Sequence, residues 1–95
     1  MPWLPFAQWF RRQPSPPAAQ ADVYTRAGCG LCDDAVEMLR EEGVEVRLID
    51  IEGDEELTQR YGTTIPVVWI DGRERFRGRV NRVLLRRLLK QRNTE

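Results

Sequence analysis

Cys29-Gly30-Leu31-Cys32 lies where a short apolar stretch, Val23-Tyr24, gives way to the helical pattern of Ala35, Val36 and Leu39. The chain contains 2 cysteines, and both belong to this motif. Residues i and i+3 on the first turn of a helix share one face, so the two sulfur atoms can come within disulfide distance of each other. The spacing therefore predicts a pair of thiols that can form and break an internal disulfide.

The two cysteines are expected to play different roles. Cys29 should lie at or just before the helix start, where unpaired backbone N–H groups and the positive end of the helix dipole favour a thiolate. It is the candidate nucleophile. Cys32, one turn into the helix, should be less exposed and well placed to attack a mixed disulfide formed at Cys29, which makes it the candidate resolving thiol. Gly28 and Gly30 keep side chains away from the sulfur, so the backbone of a partner can approach.

Length and composition limit what the chain can be. Its 95 residues are enough for one domain with a single core. No apolar run approaches the roughly 18 residues of a membrane-spanning helix. Because both cysteines sit in one motif and not in a spaced disulfide framework, we predict a cytoplasmic protein. The chain has 0 histidines, which excludes histidine-based zinc sites and Cys-His nucleophile pairs, so any chemistry must come from the thiols.

Charge is unevenly distributed along a chain whose formal net charge is +0. Residues 33–56 hold eleven acidic side chains against Arg40 and Arg47, whereas residues 73–92 hold nine basic side chains against Glu74. This pattern predicts a fold with one acidic and one basic side. Since no aromatic residues alternate with the basic ones at base-stacking positions, we expect a solvated or partner-facing surface and no binding of nucleic acid.

Residues 1–20 are expected to form a flexible leader and linker outside the domain, which we place at 21–92. Aromatic residues recur in the leader at near-helical spacing, at Trp3, Phe6, Trp9 and Phe10. Arg11 and Arg12 follow, and then a proline-rich linker. Two interpretations remain open: a disordered leader, or an aromatic anchor for a membrane surface or a partner.

The domain is predicted to follow the order strand, helix, strand, helix, strand, strand, helix. The predicted bounds are 21–25, 30–42, 44–51, 53–61, 67–70, 73–77 and 79–91. A helix joins the first two strands, so they should be parallel, and Asp71-Gly72 is a strong hairpin signal, so the last two should be antiparallel. In the last strand, Arg73, Arg75 and Arg77 are expected to line one face.

Several apolar side chains are expected to face the core. On the first helix these are Leu31, Ala35, Val36, Met38 and Leu39. Around the last helix they are Val80, Val83, Leu84 and Leu88, with Leu85 and Leu89 as further candidates. Trp69 is expected to be a core residue of the third strand, because it lies in an unbroken apolar run.

This order of elements, a C-x-x-C motif opening the first helix and Thr64-Ile65-Pro66 before the hairpin together resemble the glutaredoxin branch of the thioredoxin-fold superfamily. In detail the chain is similar to the short glutaredoxin-like proteins of bacteria. The resemblance implies an α/β, thioredoxin-like βαβαββα fold with a four-stranded mixed sheet flanked by three helices. It also implies that the first strand is central and that the first and last helices cover the faces of the sheet.

The resemblance implies a set of binding residues around the thiols. In this family the proline that matches Pro66 follows a cis peptide bond and lies beside the reactive sulfur. The backbone of Ile65, next to Thr64, would then pair with an incoming peptide as an added strand. Arg26 matches a basic residue that supports the thiolate and, where glutathione is used, the carboxylate of its glycine.

Three departures from the family pattern bear on this site. Glutathione-using members carry Gly-Gly-x-Asp-Asp before the last helix, where this chain has Arg77-Gly78-Arg79-Val80-Asn81. Thr63 replaces a basic residue of the same site. Asp33 and Asp34 follow Cys32, and their negative charges should oppose the thiolate.

The resemblance implies a thiol-disulfide oxidoreductase that reduces protein disulfides or glutathione mixed disulfides. Its partners would be disulfide-containing proteins and, as reductant, glutathione or a flavoprotein reductase, and we expect a monomer without a tightly bound cofactor or metal. Alternatives remain open. Many redox members have proline at the position of Gly30. With glycine there, the motif resembles that of members that carry an iron-sulfur cluster together with glutathione. The chain could also be a non-catalytic binding module, half of a zinc site shared with a second chain, or an inert cysteine pair.

Overall fold

The computed structural model describes residues 18–93. Within this range the predicted order of elements is confirmed, with three helices and a four-stranded mixed sheet. The elements are β1 Gln20–Thr25, α1 Gly30–Glu41, β2 Glu45–Asp50, α2 Glu55–Tyr61, β3 Val67–Ile70, β4 Arg73–Arg77 and α3 Arg82–Asn93. None of the helices in the described range has the length and apolar character needed to cross a membrane.

The sheet has the strand order β2-β1-β3-β4, so β1 is an inner strand, as the resemblance implied. β1 runs parallel to β2 and antiparallel to β3, with Val23 opposite Leu48 on one side and Val68 on the other. The parallel pair follows from the crossover through α1, and the antiparallel hairpin of β3 and β4 follows from Asp71-Gly72.

A β-bulge in β4 makes the prediction of three arginines on one face wrong. Val68 pairs with Phe76 but Trp69 pairs with Glu74, which leaves Arg75 as the extra residue. Beyond the bulge the alternation is reversed, so Arg73 lies on the opposite face of the sheet from Arg77.

One face of the sheet carries the hydrophobic core. It packs against both α1 and α3 in a single cluster of buried side chains: Ala19, Ala21, Val23, Ala35, Val36, Leu39, Val44, Val68, Ile70, Val80 and Leu85. The first and last helices therefore cover the same face, and the expectation that they cover the two faces is corrected. The opposite face carries Tyr24, whose ring contacts Tyr61 of α2 with centroids 4.7 Å apart.

Helix ends explain the differences in element bounds. Asp54 accepts a hydrogen bond from the Leu57 N–H at 3.0 Å and caps α2, which therefore begins after Asp54 and not at Gly53. Asn81 accepts one from the Leu84 N–H at 3.0 Å, at the position that caps α3. The last helix thus begins at Arg82, three residues later than predicted.

The later start of α3 changes which of its leucines is buried. Leu85 is 0% exposed, whereas Val83 and Leu84 are 65% and 50% exposed, so the prediction that these two face the core is wrong. Leu31 on α1 is also exposed, at 42%, while Ala35, Val36 and Leu39 are buried as predicted. Trp69 is only partly buried, because it lies on the face that α2 covers in part.

Ion pairs join α3 to the end of α1. Arg82 contacts Glu41 at 2.7 Å and Glu42 at 2.5 Å, and Arg86 contacts Glu42 at 3.0 Å. The hydrogen bond from Arg86, together with one from Arg82, lowers the pKa of Glu42 although burial acts in the opposite direction. The acidic and basic stretches of the sequence therefore meet at this contact and partly neutralise each other.

Neighbouring leucines of α3 offer a matched test of this packing. Leu85→Ala removes a fully buried side chain, so we expect it to lower the free energy of unfolding by about 2–5 kcal/mol. Leu84→Ala removes a half-exposed side chain and should cost less than about 1 kcal/mol. Urea unfolding of the two variants measures both values. Equal losses would contradict the observed orientation of α3.

Candidate active site

Cys29 occupies the cap position of α1, as the sequence predicted. Its backbone is extended, with φ −97° and ψ 105°, and the helix begins at the next residue. The Sγ atom accepts a hydrogen bond from the Cys32 N–H at 3.2 Å, and the Asp33 N–H donates to the Cys29 carbonyl at 3.1 Å. The sulfur is therefore held where unpaired backbone N–H groups and the helix dipole stabilise negative charge.

The two sulfur atoms are in contact. They lie 2.50 Å apart, with a Cα–Cα distance of 5.2 Å, so the pair is at disulfide distance. Cys32 is 1% exposed, whereas Cys29 is only partly buried. The expected difference in exposure is confirmed, and it leaves Cys29 as the sulfur that an outside molecule can reach.

The β1–β3 pairing brings the other predicted site residues to the same edge of the sheet. Tyr24 pairs with Val67, and the strands are antiparallel, so the loop that follows β1 and the loop that precedes β3 meet there. The first loop carries Arg26 and leads to Cys29, and the second carries Thr64, Ile65 and Pro66. The Ile65–Pro66 peptide bond is cis, as the resemblance implied, and Pro66 is buried.

The loop residues Thr64, Ile65 and Arg26 differ in which of their hydrogen-bonding groups already have a partner within the protein. The Thr64 N–H and hydroxyl both donate to the Tyr61 carbonyl, at 2.9 and 3.3 Å, so the hydroxyl is turned towards α2. The Ile65 backbone makes no hydrogen bond to another described residue. The Nε of Arg26 is buried and has no hydrogen-bond partner within residues 18–93.

Two residues at this edge, Gly78 and Arg77, were named from the sequence as part of a departure from the family pattern, but their contacts were not predicted. The Gly78 N–H donates to the Pro66 carbonyl at 2.8 Å and joins the end of β4 to the proline loop. Gly78 has φ +85°, a conformation that favours glycine, and its place just after a strand was the available signal. Arg77 lies over the Tyr61 ring at 5.4 Å and is held by both oxygens of Glu74, at 2.8 and 3.0 Å.

The Arg77–Glu74 pair also fixes the charge of both groups. Its hydrogen bond lowers the pKa of Glu74 and raises the pKa of Arg77, in each case against burial. Arg77 therefore stays charged beside Gly78 and the proline loop, with its charge compensated by Glu74. Within the described range, no group of three or more cysteine, aspartate or glutamate side chains could hold a metal ion.

The fold and the cysteine pair define a thioredoxin-fold protein of the redox type. Residues 22–90 match the family model described as glutaredoxin-like domain (DUF836). The chain belongs to this glutaredoxin-like family.

Solved structures of related proteins share the fold. Protein XcR50 from X. campestris, whose crystal structure is known, shares 32% sequence identity with this chain. The superposition covers 75% of this chain and 96% of XcR50 and gives a TM-score of 0.66. The solution structure of protein Ne2328 from Nitrosomonas europaea is 25% identical, covers 81% of this chain and 98% of its own, and gives a TM-score of 0.68.

Curated relatives are known from two mycobacteria. Uncharacterized proteins of Mycobacterium bovis and Mycobacterium tuberculosis are 34% identical over 64 residues, which amount to 58% of this chain and 66% of theirs. The chain thus spans just under two thirds of the length of these relatives.

The difference in exposure predicts how the reduced thiols react. In the folded, reduced protein we expect iodoacetamide to modify Cys29 at least about ten times faster than Cys32, because only the first sulfur is accessible and capped by N–H groups. Mass spectrometry of tryptic peptides at successive times measures both rates. The same reaction in urea is the control and should give similar rates. Preferential modification of Cys32 in the folded protein would reverse the assigned roles.

Proposed function

We propose that the protein is a thiol-disulfide oxidoreductase that reduces protein disulfides or glutathione mixed disulfides. Cys29 is the nucleophile and Cys32 the resolving thiol. The observation that carries the proposal is the position of the Cys29 Sγ, which caps α1, accepts the Cys32 N–H and contacts the Cys32 sulfur. A sulfur in this position can be a thiolate when reduced and half of a disulfide when oxidised.

The first step is attack on the substrate. The Cys29 thiolate attacks one sulfur of the substrate disulfide, a bond forms between them, and the substrate S–S bond breaks. The other substrate sulfur leaves as a thiolate and takes a proton. At this point the substrate is held covalently on Cys29.

The second step releases the substrate and oxidises the protein. Cys32 loses its proton and attacks the Cys29 sulfur, the mixed disulfide breaks, and the second substrate thiol leaves. Two electrons have then passed from the cysteine pair to the substrate. A thiol such as glutathione, or a flavoprotein reductase, returns them. The cytoplasm is the compartment that suits this cycle, because its thiol reductants keep such pairs reduced.

Open backbone around the nucleophile supports binding of a peptide substrate. A Cβ atom added at Gly28 or Gly30 would meet nothing within 4 Å, so a substrate chain has room beside the sulfur. The unpaired N–H and carbonyl of Ile65 can form strand-like hydrogen bonds with that chain. The buried, unpartnered Nε of Arg26 would gain an acceptor from a carboxylate or carbonyl of the substrate.

The basic stretch after β4 favours a reductant other than glutathione. Arg77, Gly78 and Arg79 stand where glutathione-using members bind the ammonium of the tripeptide through aspartates, and like charges repel. The charge of Arg77 is compensated by Glu74, so the repulsion comes mainly from Arg79, which makes no ion pair to any residue that the structure describes. A protein reductase, which offers a larger surface, is therefore the better candidate for the electron donor.

Turnover measurements test the assignment of the nucleophile. With dithiothreitol as electron source, the wild-type protein should accelerate the reduction of insulin. Cys29→Ser should lower the rate above that of dithiothreitol alone by about 100-fold or more, because the remaining thiol, Cys32, is buried. Thr25→Ser is the control. Thr25 is the last residue of β1 and lies outside the cysteine motif, so this variant should keep the wild-type rate. Full turnover by the Cys29→Ser variant would refute the proposed nucleophile.

Trapping tests the second step and identifies the substrate. Cys32→Ser removes the resolving thiol, so proteins that react with Cys29 should remain bound through a disulfide that dithiothreitol releases. Diagonal electrophoresis followed by mass spectrometry identifies them. The Cys29→Ser/Cys32→Ser double variant is the control and should retain none. Equal capture by the single and double variants would contradict the two-step mechanism.

A further inference from the structure

The face of the sheet opposite the core is covered only in part. α2 has 7 residues and is about 10 Å long, whereas β1 with 6 residues extends for about 20 Å. Tyr61 of α2 packs on Tyr24, near the end of β1. The same face continues at Asp22, two residues earlier, beyond the reach of α2.

A groove of about 480 Å³ lies on this uncovered half. Its lining includes Gln20, Asp22, Glu45, Arg47, Trp69 and Asp71. The Nε1 of Trp69, the one polar atom of that side chain, is buried and has no hydrogen-bond partner among the described residues. The part of the indole that reaches the groove is therefore carbon, and it offers an apolar contact in a largely polar lining.

The rim of the groove carries three carboxylates, of which one, Glu45, has no ion pair to a residue in 18–93. Arg47 is held by both oxygens of Asp22, each at 3.0 Å, and Asp71 pairs with Arg92. Glu45 is exposed and accepts one hydrogen bond, from the Gln20 amide at 3.4 Å, without an ion pair to any residue in 18–93. A cation could bind beside Glu45 without displacing an existing pair.

The chain enters the domain at the edge of this groove. The Ala19 carbonyl accepts the Glu45 N–H at 2.9 Å, and the Gln20 carbonyl accepts the Asp71 N–H at 3.0 Å. Five residues, 13–17, separate Arg12 from Ala18 and span about 16 Å when extended, so the segment before them is long enough to fold back on the groove, whose lining begins at Gln20. A contact over so short a tether has an effective concentration in the millimolar range, so even a weak one is populated.

We propose that the aromatic segment of residues 3–10 binds this groove of its own chain, with an aromatic side chain on Trp69 and the cations of Arg11 and Arg12 beside Glu45. The segment supplies what the groove lacks, because it holds 2 of the 3 tryptophans and 2 of the 3 phenylalanines of the chain, followed directly by two positive charges. The groove lies at the start of β1, whereas the cysteines follow the end of β1. Binding of the segment in the groove therefore leaves the thiols accessible to a substrate.

Fluorescence of the full chain tests the proposal. Trp3→Phe/Trp9→Phe keeps aromatic side chains in the segment and leaves Trp69 as the single tryptophan. A second protein carries Trp3→Ala, Phe6→Ala, Trp9→Ala and Phe10→Ala. We expect acrylamide to quench Trp69 about twofold more strongly in the second protein, with emission shifted to longer wavelength, because the indole loses its cover.

Two further variants of the first protein test the charges. Glu45→Arg should release the segment and raise quenching, whereas the matched change Glu37→Arg, on α1, should leave quenching unchanged. Equal quenching of Trp69 with and without the aromatic residues would overturn the proposal. So would a difference that appears only at high protein concentration together with a dimer in sedimentation, because the occupant would then be a second copy of the chain.

Discussion

The hydrogen bond from the Cys32 N–H to the Cys29 sulfur, at the first turn of α1, is the interaction on which the site depends. It satisfies one of the N–H groups that the helix leaves unpaired, and it holds the more exposed of the two cysteines at the helix start. A thiolate accepts such a bond more strongly than a sulfur in a disulfide, since charge-assisted hydrogen bonds are stronger. Reduction of the pair and capping of α1 therefore stabilise each other.

This cap has a fixed place because the core fixes α1. Ala35, Val36 and Leu39 pack on the inner strands of the sheet, and the ion pairs of Glu41 and Glu42 tie the far end of the helix to α3. Because α1 and α3 both pack on the same face, the two faces of the sheet are covered to different extents. One is sealed by two helices of 12 residues, and the other carries a helix of 7 residues. Trp69 is partly exposed for this reason, although its neighbours along the strand are buried.

The sequence predicts the order of elements well, because alternation, apolar runs and turn residues are local signals. It predicts the details of α3 less well. Asn81 is a residue type that caps helices, but the arginines and leucines around it fit more than one helix start. Only contact with the sheet determines that Leu85 is buried and Leu84 is exposed. The bulge at Arg75 leaves no local signal either, since the alternation of Arg73 to Arg77 suits a regular strand equally well.

At the site, the cysteine spacing predicts the disulfide contact, but the bond between Gly78 and Pro66 joins residues from different loops and follows only from the tertiary fold. The surroundings also constrain the chemistry of Cys32. The chain has no histidine, and no aspartate or glutamate in the described range is buried, so no enclosed base can take the proton of this thiol. In the proposed cycle the proton of Cys32 would therefore pass to a group that is itself open to solvent, to water or to the departing substrate thiolate, and that acceptor would have to reach a sulfur that is 1% exposed when oxidised. A mixed disulfide at Cys29, as the proposed first step forms it, would hold the two sulfurs apart and so open a path to Cys32.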